Sequence, residues 1–325
     1  MTHDLLTAIR QPILADLKQL DTFVLDELHS DISLIQLIID HIVKSGGKRL
    51  RPLVVLLFAK AAGYTGTIEH VELAAIIEFV HTATLLHDDV IDNSLLRRGQ
   101  DTANALYGNQ ASVLVGDFLY SRSFQILTRR SNVPIMQVLA NTTNAIAEGE
   151  VLQLMNCNNP HITETDYYQV IERKTAKLIE SACEIGAMLN AIPAYQDAAR
   201  IYGLQIGYAF QIIDDALDYS GSAEQIGKNV GDDLAEGKAT LPLIYTLQHA
   251  DTNIKKKICD SITEGSKKYL TEIIDAMHSC HAFDYCKQKT KEHLKLAEMA
   301  LSHLPTSPYR QALIDLLQFV VEREF

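Results

Sequence analysis

The sequence predicts an all-α fold, a single large helical bundle around a central cavity. Apolar residues recur at i, i+3, i+4 and i+7 along nearly the whole chain of 325 residues. The eight prolines and sixteen glycines lie mostly between these segments, and strand-like alternation is scarce. No internal repeat and no low-complexity linker divides the chain. We therefore expect one domain over residues 1–325.

The helical segments follow one another from the N-terminus. Pro134 stands where the first turn of a helix tolerates a missing N–H, and Thr163 with Asp166 resembles a capping box. A polar stretch near 220–239, rich in Gly, Asp and Lys, is expected to be an irregular, lid-like loop. The expected helices are Thr2–His29, Ile32–Lys44, Arg51–Ala62, Ile68–Asp92, Ala111–Arg129, Pro134–Met155, Glu164–Ala191, Tyr195–Tyr219, Leu241–His249 and three more before the C-terminus.

Composition excludes several classes of function. Hydrophobic residues make up 47% of the chain, which supports a large core. The formal net charge of −12 argues against nucleic-acid binding but leaves room for local basic clusters that hold phosphates. The N-terminus does not have the pattern of a signal peptide, and no apolar stretch is long enough to span a membrane. The five cysteines show no disulfide framework and no zinc spacing, so we expect reduced thiols and a cytoplasmic location.

Two acidic motifs of the same spacing, Asp-Asp-x-x-Asp, each follow a long apolar segment. The first contains Asp88, Asp89 and Asp92, and the second begins at Asp214. The first and last aspartates of such a motif share a helix face, whereas the middle one lies about 100° away. Crowded carboxylates repel one another, so the motifs require a compensating cation. Oxygen-only ligands with room for water and phosphate favour Mg²⁺.

Basic residues stand close to these motifs in the sequence. Lys48 and Arg51 flank the start of a helix after Gly46 and Gly47, where the backbone and the helix N-terminus favour an anion. Guanidinium groups match phosphate oxygens bidentately, and two adjacent arginines, Arg97 and Arg98, follow the first motif. Further candidates are Lys174 with Thr175 in mid-helix, and Lys228 and Lys238 in the polar loop.

Together these segments resemble the trans-isoprenyl diphosphate synthases. The resemblance rests on GGKRLRP, HTATLLHDDVIDNSLLRRG, AEGEVLQL, ERKTAKL, and FQIIDDALDY followed by GKNVGDDLAEGKATLPL, in that order over about residues 30–325. Within the family the sequence looks most like the bacterial octaprenyl diphosphate synthases, which make the side chain of ubiquinone. The resemblance implies the isoprenoid synthase type of fold, a homodimer, and two substrates, isopentenyl diphosphate and an allylic diphosphate such as farnesyl diphosphate.

The resemblance also implies a role for each matching residue. About three Mg²⁺ ions would be held by Asp88, Asp92 and Asp214, with Asp89, Asp215 and Asp218 as supporting or water-mediated ligands. Isopentenyl diphosphate would be held by Lys48, Arg51, His81 and Arg98. The allylic diphosphate would be held by Arg97, Lys174, Thr175, Gln211, Lys228 and Lys238. Of these, Lys174, Thr175 and Gln211 would also stabilise the allylic cation and are the expected catalytic residues.

The small residues before the first motif predict a long product. Ala83 and Thr84 lie about one helical turn, roughly 5.4 Å, before Asp88, and a bulky side chain there would stop the growing chain. The resemblance implies a C40 product, with C30, C45 and C50 left open. The floor of the tunnel is expected on the Ala111–Arg129 helix, with Phe124, Ile126 and Leu127 as candidates. We expect such an apolar product to be released by transient contact with the inner membrane.

Three other functions compete with this one. Class I terpene cyclases and head-to-head synthases also use aspartate-rich helices, but they have no need of the isopentenyl diphosphate residues in GGKRLRP. A silent partner subunit would be expected to lose one aspartate motif, and this sequence keeps both. A helical scaffold without chemistry would not explain why acidic and basic clusters alternate in this order.

Overall fold

The computed structural model describes residues 2–44, 46–97, 99–129, 132–220 and 230–322, and all statements below concern these residues. They form helices connected by short turns, and one two-stranded hairpin in which Leu96–Arg97 (β1) pairs antiparallel with Gln100–Asp101 (β2). The all-α prediction is confirmed. The helices are α1 (Thr2–Arg10), α2 (Leu14–Glu27), α3 (Ser33–Lys44), α4 (Leu50–Ala61), α5 (Glu69–Ile91), α6 (Ala103–Tyr107), α7 (Asn109–Thr128), α8 (Val133–Asn156), α9 (Glu164–Ile171), α10 (Lys177–Met188), α11 (Pro193–Ser220), α12 (Asp232–Ala235), α13 (Leu241–His249), α14 (Thr252–Glu264), α15 (Leu270–Ser279), α16 (Ala282–Ala300) and α17 (Pro308–Val321).

Several boundaries differ from the expected ones. The first expected helix is interrupted by a 3-10 turn at Gln11–Ile13, because Pro12 has no N–H to donate. The polar stretch near 220–239 contains the short helix α12, so it is not irregular throughout, and its residues 221–229 lie outside the described part. Four helices follow His249 instead of three, because Gly265 and His281 take left-handed conformations at the ends of helices.

The buried apolar side chains form two clusters that meet at α11. One cluster includes Ile206 and Ile213 of this helix, with the N-terminal helices, α5, α7, α8, α10 and α17. The other includes Ile212 and Ala216, with α9 and α13 to α16. The helix α11 is therefore buried on two faces, and it carries the second aspartate motif between the clusters. None of the described helices combines the length and the apolar character that a membrane span requires.

A single π-turn, Glu172–Ala176, separates α9 from α10 where one long helix was expected. The N–H of Lys177 bonds to the carbonyl of Glu172, five residues back, which widens the helix locally. Two glycines on neighbouring helices let their backbones approach this turn. A Cβ on Gly149 of α8 would stand 2.7 Å from the nitrogen of Lys174, and one on Gly207 of α11 would stand 2.6 Å from the Cα of Ala176. The turn is thus held between α8 and α11.

Candidate active site

A cavity of about 660 Å³ opens between α4, α5, α8, the π-turn, α11 and the segment after α12. Carboxylates from both aspartate motifs face basic side chains across it, although the motifs are far apart in the sequence. Thirteen of the predicted site residues line it: Lys48, Arg51, His81, Thr84, Asp88, Asp92, Arg97, Lys174, Thr175, Gln211, Asp214, Asp215 and Lys238. The predicted substrate ligands Arg98 and Lys228 lie outside the described residues.

The first motif divides its three aspartates between the cavity and the protein interior. Asp88 and Asp92 line the cavity, whereas Asp89 is buried behind them. Asp89 Oδ1 accepts hydrogen bonds from Arg97 Nε at 2.9 Å and Nη2 at 2.7 Å. These two hydrogen bonds to one carboxylate oxygen fix Arg97, which lines the cavity, on the hairpin that follows α5. Asp89 therefore positions the guanidinium group of Arg97 in this structure. It can do so because the middle aspartate of the motif lies on a different helix face from Asp88 and Asp92.

Electrostatics at Asp88 show how crowded the carboxylates are. Burial, together with repulsion from Glu150 and Asp92, raises the pKa of Asp88 to about 6, against the opposing effect of Lys174. At Asp92 a cationic group already compensates the charge, since Lys238 Nζ stands 3.3 Å from Asp92 Oδ1 and also pairs with Glu236. The cavity thus accepts positive charge beside the first motif, as a divalent cation would require.

The aspartates of the second motif have equally distinct surroundings. Asp214 lines the cavity. Asp215 accepts hydrogen bonds from the Tyr167 hydroxyl and from Gln211 Nε2, both at 2.7 Å. Asp218 accepts from the backbone N–H groups of Asp232 and Asp233, both at 3.2 Å, and so holds the start of α12.

Burial is also the main influence on these two buried carboxyls. Burial and repulsion from Asp233 raise the pKa of Asp215 well above its usual value, although the Tyr167 and Gln211 hydrogen bonds act in the opposite direction. The same two causes raise the pKa of Asp218 to about 8. Both carboxylates are thus unfavourable where they stand and would be stabilised by a cation in the cavity.

The donor set fits a hard divalent cation that shares its shell with a substrate. The cavity carboxylates Asp88, Asp92 and Asp214 offer only oxygen atoms, the ligand type that Mg²⁺ and Ca²⁺ take. Within the described part of the chain, no three His, Cys, Asp or Glu side chains approach closely enough to hold an ion by themselves. Phosphate oxygens and water would therefore complete the shell, which is usual for Mg²⁺.

The basic turn before α4 faces the first motif. Arg49, at the N-cap of α4, has a φ of +47°, an unusual left-handed conformation for a residue with a side chain. Arg51 Nη1 lies 3.0 Å from His81 Nε2. An arginine can only donate, so His81 Nε2 accepts and its proton is on Nδ1. His81 thereby joins Arg51 at the wall of the cavity, as the sequence predicts.

The π-turn brings two further predicted residues into the cavity. Lys174 Nζ pairs with Glu150 Oε2 at 2.8 Å, with each side chain 20% exposed. The Thr175 hydroxyl donates to Gln211 Oε1 at 2.9 Å. An ammonium, a hydroxyl and an amide therefore lie side by side on the wall formed by the π-turn and α11.

Sequence reasoning missed three residues of this site: Glu150, Tyr167 and Asp233 all line the cavity. Glu150 lies in the AEGEVLQL segment and Asp233 in the GKNVGDDLAEGKATLPL segment, so a search for carboxylates near the motifs could have found both. Tyr167 carries no such signal, because its hydroxyl reaches Asp215 only through the packing of α9 against α11.

The two chain-length residues occupy different surroundings. Thr84 lines the cavity beside Leu85, Ile146 and Leu178, which give this end an apolar surface. Ala83 is fully buried and does not line it. The expected floor on α7 is not found, since none of Phe124, Ile126 and Leu127 lines the cavity. The apolar wall includes Ile146 of α8 and Leu178 of α10 instead.

Comparisons with known proteins agree over almost the whole chain. A family model described as polyprenyl synthetase matches residues 32–277. An octaprenyl diphosphate synthase of Escherichia coli (strain K12) is 46% identical over 311 residues, covering 95% of this chain and 96% of that protein. An all-trans-nonaprenyl-diphosphate synthase (geranyl-diphosphate specific) of Rhodobacter capsulatus is 43% identical over 99% of each chain. The crystal structure of a polyprenyl synthase from Caulobacter crescentus CB15, complexed with calcium and isoprenyl diphosphate, matches with a TM-score of 0.94 and 37% identity over 98% of each chain.

Proposed function

The chain belongs to the polyprenyl synthetase family and is a trans-prenyl diphosphate synthase, and on that premise we propose that it adds isopentenyl units to farnesyl diphosphate until octaprenyl diphosphate (C40) is formed. The product would serve as the precursor of a quinone side chain. The chain would work as one helical domain with Mg²⁺ as its cation. The E. coli relative supports the C40 product, and the R. capsulatus relative makes C45 the second candidate.

The observation that carries the proposal is the arrangement of charge around one cavity. Asp88 and Asp92 face Asp214 across it, while Lys48, Arg51 and Lys174 present cations to the same space. A site for a single phosphate would not need carboxylates from both motifs as well as several basic side chains. Two diphosphates, one held through divalent cations and one held directly by basic side chains, account for both sets.

The residues divide between the two substrates as follows. Isopentenyl diphosphate would be held by Lys48, Arg51 and His81, with Arg98 as a further proposed ligand. The allylic diphosphate would be held by Lys174, Arg97 and Lys238, with Lys228 as a further proposed ligand. Asp88, Asp92 and Asp214 would hold about three Mg²⁺ ions, with Asp89, Asp215 and Asp218 in support. When bound, Mg²⁺ supplies Lewis acidity toward the diphosphate leaving group.

The side chains on the π-turn would act on the cation that ionisation leaves behind. Thr175 and Gln211 present oxygen atoms beside Lys174, whose ammonium would move from Glu150 to the departing pyrophosphate. The double bond of isopentenyl diphosphate, fixed by its own basic pocket, would then attack the allylic carbon. The proton that is lost would pass to the departing pyrophosphate. Enclosure by α12 and the segment that carries Lys238 would keep water from capturing the cation.

The surface offers a place for a second copy of the chain. Several large apolar side chains of the consecutive helices α7 and α8 are exposed, with Leu114 and Leu154 both 66% exposed and Met155 74% exposed. Large exposed apolar side chains are often covered in a protein–protein interface when they form a patch. We propose a homodimer through this face, in the cytoplasm, with transient contact with the inner membrane when the apolar product leaves.

One product assay tests the proposed function. Purified protein, Mg²⁺, farnesyl diphosphate and labelled isopentenyl diphosphate are incubated, and the dephosphorylated products are sized by chromatography. A main product of C40 supports the proposal, whereas C45 supports the second candidate. A cyclic hydrocarbon formed without isopentenyl diphosphate would contradict both.

A further inference from the structure

The second aspartate motif is tied to a buried tyrosine. Tyr167 on α9 is 4% exposed, and its hydroxyl donates to Asp215 Oδ2 at 2.7 Å. The other carboxylate oxygen, Oδ1, accepts from Gln211 Nε2 at 2.7 Å. Both oxygens of Asp215 act as acceptors in this arrangement, so it is the amide nitrogen of Gln211 that faces Asp215. Tyr167 and Asp215 thereby determine which end of the Gln211 amide faces Asp215 and which end faces Thr175.

The orientation of Gln211 in turn orients the neighbouring hydroxyl. With its nitrogen on Asp215, Gln211 presents Oε1 to Thr175, whose hydroxyl donates to it at 2.9 Å. A hydroxyl has one proton and two lone pairs. Because the proton is committed to Gln211, Thr175 can offer only lone pairs to the cavity that it lines. Lone pairs favour a positive charge at that point.

We propose that Tyr167 is a positioning residue which, through Asp215 and Gln211, holds the lone pairs of Thr175 toward the allylic cation. The inference rests on the proposed function, because that function places the cation there. It gives Asp215 the task of orienting Gln211 rather than that of binding a metal ion directly. Tyr167 itself acts through its hydroxyl only, so the ring can be kept while the chain of hydrogen bonds is broken.

The test is a double-mutant cycle with a matched control. The full-length variants are Tyr167→Phe, Thr175→Val, the double variant, and Tyr168→Phe. Tyr168 is the neighbouring tyrosine, but its hydroxyl contacts His293 Nε2 at 3.0 Å instead of the motif. Single-turnover condensation of farnesyl and isopentenyl diphosphates is measured at saturating substrate. The half-saturating Mg²⁺ concentration is measured too, as is calorimetric binding of the unreactive analogue farnesyl thiodiphosphate.

Tyr167→Phe is expected to lower the single-turnover rate about tenfold, since a hydrogen bond to a charged acceptor contributes that order of energy. Analogue affinity and the half-saturating Mg²⁺ concentration should change less than about twofold, and Tyr168→Phe should retain its rate. In the Thr175→Val background the effect of Tyr167→Phe should fall below about twofold, because the hydroxyl it orients is gone.

Two kinds of result would overturn the inference. Equal losses in both backgrounds would show that Tyr167 acts independently of Thr175. A large rise in the half-saturating Mg²⁺ concentration would show that Tyr167 supports Asp215 as a metal ligand. If the unaltered enzyme shows no condensation at all, the proposed function fails, and the inference fails with it. A failure confined to the variants would instead contradict the inference and leave the proposed function standing.

Discussion

Replacing Thr84 with phenylalanine should shorten the product. Thr84 lies four residues before Asp88 on α5, about 6 Å along the helix axis, and it lines the apolar end of the cavity. A helical turn of about 5.4 Å is close to the length of one isoprene unit. A chain whose diphosphate is held at Asp88 therefore reaches Thr84 after its first units. A phenyl ring there should shift the main product from the proposed C40 toward C20, a single addition to farnesyl diphosphate.

The structure also explains why Thr84 is a sharper test than Ala83. Ala83 is fully buried and does not line the cavity, so the ring of Ala83→Phe reaches the growing chain only by displacing its neighbours; we expect a shorter product, with an overpacking cost of about 1–3 kcal/mol in the free energy of unfolding. At Thr84 the ring enters the cavity, and the melting temperature should hardly change. The assay sizes the products made from farnesyl diphosphate and labelled isopentenyl diphosphate, with Thr84→Ser as the control. An unchanged product length for Thr84→Phe, in a variant that still condenses, would refute the open-tunnel reasoning.

Three further predictions concern charge, pH and metal. Glu150→Gln removes the carboxylate that pairs with Lys174, so KM for the allylic diphosphate should fall about three- to tenfold, whereas an unchanged or higher KM would contradict this competition. Burial and Lys289 lower the pKa of His293 to about 4, so the folded form binds this proton less readily than the unfolded chain. The contribution of His293 to the free energy of unfolding should therefore be fully present above about pH 6.5 and be lost as the pH falls toward 4. Denaturant titrations should therefore show a shallower acid loss in His293→Gln, and equal losses would speak against the effect. A chelator should abolish condensation without lowering the melting temperature of the substrate-free protein, whereas Mg²⁺ with a diphosphate analogue should raise it; a large destabilisation by the chelator alone would indicate a structural ion.

Periodicity predicted the helices because most of them bury one face, yet it could not find the places where the backbone departs from a regular helix. The π-turn at Glu172–Ala176 is held between Gly149 and Gly207, which lie on other helices and become neighbours of the turn only in the fold. The hairpin around Gly99 has strands of two residues each, too short for an alternating pattern. Pro12 was visible in the sequence, but its effect on the first helix was not anticipated.

The site was more predictable than its internal connections. Thirteen predicted residues line one cavity because a motif fixes residue type and spacing, which a helix converts into a shared face. The partner of each side chain depends on packing between distant segments. Arg97 and Asp89 are only eight residues apart, so their ion pair could be suspected from the sequence. The hydrogen bond from Tyr167 to Asp215 could not be, because it depends on the contact between α9 and α11.

The two motifs have the same spacing, and their middle aspartates perform related tasks by different means. Asp89 is buried behind the cavity wall whereas Asp215 lines the cavity, yet each fixes a neighbour that meets the cavity, Arg97 in one case and Gln211 in the other. The last aspartates differ, because α5 ends at Ile91 while α11 continues to Ser220. Asp92 is therefore at a helix end and reaches the cavity, whereas Asp218 is enclosed by the start of α12. Identical motifs thus bring different pairs of carboxylates to the cavity, the first and last aspartates of one motif and the first two of the other, and the last aspartates differ because of where each helix ends.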